Sequence, residues 1–227
     1  VTNPARVLDS DEDEPFEVRT TAVERLIFFA DAVIAIAITL LALELPLPEG
    51  TTTNRQVLDY FGANRDQFIA FAISFWVIGA YWMGHHRTFR WVNALGGRLA
   101  RITMLWLMLQ VLMPYATRLL TGEGAFQARF IPYAVIQVLA SLLFILMLGD
   151  LRKYKLTRDD APPTLLSDGV WRSSMLALGF GLSIPLSFVG QAWAYGCWIV
   201  TPLAGGFAYR FWRRRQAAAT QSAASRP

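Results

Sequence analysis

Residues 173–209 run for 37 positions without one Asp, Glu, Lys or Arg. A single helix of that length, rising 1.5 Å per residue, would be about 55 Å long, almost twice the roughly 30 Å hydrocarbon core of a bilayer. Backbone in lipid must satisfy its own hydrogen bonds, which favours helices. The stretch therefore predicts two membrane helices folded back on each other, with the hairpin at the Val-Gly-Gln of 189–191. Four more apolar runs precede it, at 26–45, 68–84, 102–117 and 130–149. The second and third are slightly short of twenty residues and are expected to borrow flanking positions. Hydrophobic residues make up 54% of the chain and charged residues 17%, against about 25% charge in a soluble domain. The expected fold is an all-α integral membrane protein with six transmembrane helices.

The basic residues set the orientation. With six spans and an inside N-terminus, 17 of the 21 Lys and Arg fall on the inside. Only Arg55, Arg65, Arg118 and Arg129 are left outside, as the positive-inside rule requires. Both termini are expected in the cytoplasm, with the chain multi-pass in the cell membrane. The net charge of +4 does not imply a nucleic-acid partner, because it sits in short blocks between apolar spans. Residues 1–22 are acidic and poor in apolar side chains, an expected disordered tail. Residues 23–215 form the expected six-helix membrane domain, and 216–227 a low-complexity polar tail. The one cysteine, Cys197, excludes an intrachain disulfide and a cysteine-based metal site.

Several function classes lack their residues. The middles of spans two to six carry no formal charge, whereas proton-coupled transporters usually string carboxylates into a relay, and no span has the spaced arginines of a voltage sensor. The T-V-G-Y-G sequence of a carbonyl selectivity filter is absent. So are H-E-x-x-H, G-x-S-x-G and a glycine-rich phosphate loop. The chain is not read as an enzyme, and no cofactor or resident metal is expected.

The first span carries one carboxylate, Asp31. At 100° per residue, Ile36, Leu40 and Leu43 fall within about 60° of one another, with Thr39 beside them and Glu44 at the outer end. Geometry alone leaves open whether this stripe packs on a neighbouring helix or lines a path. Asp31 lies about 140° from Ile36, so it points into the subunit's own bundle. A buried carboxylate needs donors. The inner end of span two offers Trp82 and His85, three residues apart on one helix face. Arg25, six residues before Asp31, is badly placed for a direct ion pair. Two adjacent histidines, His85 and His86, point different ways and make a poor metal pair.

The segment RLIFFAD, Arg25–Asp31, resembles the R-x-x-x-F-S-D motif that opens the first helix of the transmembrane protein 175 family of potassium channels. Ala35–Leu45 and Trp82–Arg90 are similar to that family's first helix and to the end of its second. The likeness runs essentially from Val23 to Arg215. It departs at Ala30, where the family has Ser, while Arg25, Phe29 and Asp31 match. The motif occurs once, which resembles the bacterial members with one six-helix repeat that form homotetramers. The resemblance implies a pore lined by the first helix, with Ile36, Leu40 and Leu43 as apolar constrictions and Thr39 as a hydroxyl layer governing cation preference. It implies that Arg25, Phe29 and Asp31, with Trp82 and His85, anchor that helix, so that Asp31 is not an ion ligand.

The expected function is a homotetrameric, potassium-preferring cation channel in a lipid bilayer, with Glu44 either a charge at the outer mouth or a snorkelled helix-end residue. The rivals are a proton-coupled secondary transporter that titrates Asp31, and a non-conducting membrane scaffold whose stripe is only a subunit interface.

Overall fold

A computed structural model describes residues 16–48, 50 and 53–224. The expectations for residues 1–15 and 225–227 lie outside the described residues. Those described form eight helices: α1 (Phe16–Leu43), α2 (Asn54–Ala63), α3 (Arg65–Phe89), α4 (Gly97–Val111), α5 (Met113–Thr121), α6 (Phe126–Lys153), α7 (Leu165–Leu186) and α8 (Gln191–Ala224). The fold is all-helical among the described residues, with one isolated antiparallel bridge, Val92 to Thr157. Thus α1 begins before the membrane domain boundary read from hydropathy, and α8 continues past residue 215.

Among the described residues, four segments are long and apolar enough to cross a membrane: Thr21–Leu43, Arg65–Phe89, Gly97–Thr121 and Phe126–Lys153. The helices α7 and α8 do not reach that measure. Asp168 and Arg172 dilute the start of α7, and α8 is rich in Ala and Gly before its arginines. The break between them, 187–190, coincides with the expected hairpin; Gly190 N–H bonds back to the Leu186 carbonyl at 3.1 Å.

The third span is two helices rather than one. Pro114 stands at the first turn of α5, where its missing N–H costs nothing, whereas inside a continuous helix it would leave a carbonyl unpaired one turn earlier. The chain therefore breaks at Leu112. Helix α2 was not expected from hydropathy. A capping box starts it, with the Gln56 N–H bonded to the Thr53 hydroxyl and the Thr53 N–H to the Gln56 side chain. It buries none of its residues, and Leu58 and Phe61 are exposed.

The core centres on α6, which packs against α4, α5 and α7, while α7 packs on α8 and α1 on α3, α4 and α5. Buried positions recur every three or four residues along α6, from Phe130 through Tyr133, Gln137, Ala140 and Phe144 to Met147 and Leu151. That is the period of one helix face. Several hydroxyls inside the bundle are paired across helices. The Ser74 and Tyr133 hydroxyls lie 3.1 Å apart, Thr117 donates to Ser74 at 2.7 Å, and the Tyr81 and Ser141 hydroxyls meet at 2.8 Å. These bonds tie α3 to α5 and α6. At the opposite end from Glu44, the α3–α4 and α6–α7 loops are joined by Asn93 N–H to Leu156 O at 3.0 Å and Arg158 N–H to Trp91 O at 2.8 Å.

Candidate functional site

Helix α1 has two faces. Val23, Leu26, Ala30, Ile34, Ala37 and Leu41 are buried, at spacings of three and four that turn one side of the helix onto the subunit's own core. Ile36, Leu40 and Leu43 point away from it and are 59%, 40% and 79% exposed. Thr39, on the same side, is also exposed. Among the described residues, much of this stripe's surface is left uncovered. The Thr39 hydroxyl donates to the Ile36 carbonyl one turn earlier at 2.8 Å. Its proton is thereby used inside the helix, and the oxygen lone pairs are left for an outside donor or cation.

Asp31 lies off the stripe, half-buried, and its Oδ1 accepts the Trp82 indole N–H at 2.9 Å. The expected bond between α1 and α3 is present. The rest of the expected anchor set is not brought together. Arg25 is exposed and makes no ion pair with Asp31 among the described residues, and Phe29 is about half exposed. His85 is fully buried, stacked between Phe89 at 3.9 Å and Trp106 at 5.2 Å between centroids, and neither ring nitrogen has a hydrogen-bond partner among the described residues. Its neighbour explains the divergence: His86 stacks on Trp82 at 5.5 Å, so the residue one turn after Trp82 supports the indole. Ala30, where the motif has Ser, has no exposed surface.

Two ion pairs were not foreseen. Glu44 is held by Arg118 of α5, with 3.2 Å between Oε2 and Nη1. Asp150, at the far end of α6, is 4% exposed and pairs with Arg98 of α4 at 3.2 Å. Asp150 escaped notice because it follows the apolar run of span four by one residue. Among the described residues no group of three or more His, Cys, Asp or Glu could hold a metal ion.

The chain is similar to known proteins at three levels. The family model described as endosomal/lysosomal potassium channel TMEM175 matches residues 25–114, which covers most of α1, all of α2, α3 and α4, and the start of α5. A potassium channel of Streptomyces collinus is 29% identical over 168 residues, 71% of this chain and 80% of that protein. A potassium channel of a Chryseobacterium species is 29% identical over 125 residues, 54% of this chain and 62% of its own length. In fold, a crystal structure of a lysosomal potassium-selective channel TMEM175 homolog from Chamaesiphon minutus matches with a TM-score of 0.63 at 22% identity, over 83% of this chain and 98% of that one. A second crystal structure, of a single-residue variant of the potassium channel MtTMEM175 in complex with a nanobody fusion protein, gives a TM-score of 0.53 at 20% identity, over 89% and 94%. By family model over residues 25–114 and by two curated relatives, this chain is similar in sequence to potassium channels, and over most of its length its fold is similar to that of TMEM175 channels.

Proposed function

We propose that the chain is a subunit of a homotetrameric, potassium-preferring cation channel, with four copies of α1 around the axis. The observation that carries the reading is the uncovered stripe of Ile36, Thr39, Leu40 and Leu43 on a helix whose other side is locked into the core. The names of the relatives support potassium as the ion. The six spans would be α1, α3, the α4–α5 pair, α6, α7 and α8, with both termini cytoplasmic, as the distribution of basic residues supports. The tails, 1–22 and 216–227, are appendages to the 23–215 channel domain in this reading.

Apolar rings make a permeating ion shed water, and potassium gives up water at lower cost than sodium. Four Thr39 oxygens partly replace what is lost, and their outward lone pairs suit that task. The same constriction closes by dewetting when the rings approach. Asp31 anchors α1 to α3 and does not meet the ions, which makes a titrating transporter site less well supported. Purified protein in liposomes, with potassium flux compared with sodium flux, tests the function. Potassium flux above that of sodium, without saturation or coupling to protons, is the expected result. Saturable, proton-coupled flux points to the transporter, and no flux from a stable oligomer points to the scaffold.

A further inference from the structure

A cavity of about 560 Å³ opens at the Glu44 end of the bundle, on the side of α3 away from α1. Ile73 and Val77 of α3, Leu176 and Phe180 of α7, and Trp198 of α8 wall it. The polar residues of its lining, Asp66, Thr121, Arg129, Gln191 and Tyr195, gather at one end, at the starts of α3, α6 and α8 and the end of α5. From Asp66 to Val77 the cleft follows α3 for eleven residues, about 16 Å. Half of a hydrocarbon core is about 15 Å. The cleft is therefore one leaflet deep, apolar along its length and polar at the level of the headgroups.

The rim carries both signs of charge. Arg129 is fixed in place by Nε donating to the Gly124 carbonyl at 3.2 Å and Nη1 to the Leu120 carbonyl at 3.0 Å, which leaves Nη2 uncommitted among the described residues. A guanidinium held in this way is a preorganised phosphate donor. Asp66 is exposed and lies 3.6 Å from its neighbour Arg65, a weak surface pair. We propose that the cleft binds one zwitterionic phospholipid of the phosphatidylethanolamine class. An acyl chain fills the apolar slot, the phosphate meets Arg129 and the ammonium meets Asp66.

The test is native mass spectrometry of delipidated protein titrated with ethanolamine, choline and glycerol phospholipids of matched chains. Wild type should hold one ethanolamine lipid in preference to the glycerol lipid. Ile69→Trp, at the half-exposed mouth, or Gln191→Trp from the other wall, should remove that adduct while unfolding temperature and oligomer size stay as in wild type. Asp66→Asn should lower the ethanolamine preference about threefold, as befits an exposed charge pair. Equal retention of all three lipids overturns the rim assignment. Unchanged retention in both folded Trp variants overturns the site. Disulfide cross-linking of Ile69→Cys between chains makes the cleft a subunit interface and also overturns it. Lipid retention is read without ion flux, so its outcome is separate from that of the channel reading.

Discussion

The Asp31 carboxylate and the Trp82 indole form one bond, and that bond crosses from α1 to α3. Replacing Asp31 by Ala strands the indole N–H, a loss of about 1–3 kcal/mol, toward the lower end because Trp82 is partly exposed. Asp31→Asn keeps a carbonyl acceptor and should recover most of it. Thermal unfolding of both variants measures this, and in the proposed reading ion preference stays unchanged. A stable Asp31→Ala protein with altered selectivity would mean that the carboxylate faces the ions. Glu44 makes the opposite case, because Arg118 masks its charge. Arg118→Gln should unmask four carboxylates at one mouth and raise cation conductance at low ionic strength, with the gain fading as salt approaches 1 M, where the Debye length falls to about 3 Å. Conductance recorded across a salt series checks it. An unchanged slope against salt removes Glu44 from the mouth.

At the scale of the helix, α1 is legible in sequence because its two faces obey different rules. The inward face follows the three-and-four spacing of small and branched residues, and the outward stripe interrupts it with bulk that stays largely exposed. Asp31 was legible for the same reason: its angle put it off the stripe. The histidines were not, because the choice between His85 and His86 beside the indole depends on how α4 brings Trp106 against α3. Helix α2 was hidden by its low hydropathy, although the Thr53–Gln56 capping box was readable. The break at Leu112 was marked by Pro114 inside an apolar run that hydropathy alone reads as continuous. The stripe yields a prediction for the element. In the proposed reading Leu40→Ala removes bulk from the middle of three apolar rings, so conductance should rise and potassium preference fall, while stability falls by less than for a fully buried leucine because the side chain is 40% exposed. Thr39→Val keeps the width and removes the oxygen, so preference should fall with less gain in conductance. Flux ratios in liposomes, with unfolding temperature measured beside them, separate the two effects. If Leu40→Ala leaves flux unchanged and breaks the assembly, the stripe is a packing seam.

At the scale of the whole molecule, one copy cannot enclose an aqueous path. Its core is filled with side chains around α6, the hydroxyls of Ser74, Tyr133, Tyr81 and Ser141 are paired with one another, and the face that would line a path is turned outward. In the proposed reading, conduction therefore requires several copies with their α1 stripes facing a common axis. A cyclic assembly uses the same contact between every neighbouring pair and leaves no unmatched surface. Four copies would put Ile36, Leu40 and Leu43 in stacked rings, with rises of about 6 Å and 4.5 Å between them. The expected result of light scattering on detergent-purified protein is a mass of four chains. Cysteine placed at Leu43, the most exposed stripe position at 79%, should cross-link between copies, whereas cysteine at Ile34 on the buried side of the same helix should not. The pair separates a shared axis from incidental association, because aggregation through lipid-facing surfaces would not favour one side of α1. A stable monomer, or cross-linking without preference between the two positions, would leave the stripe facing lipid and remove the pore from this reading.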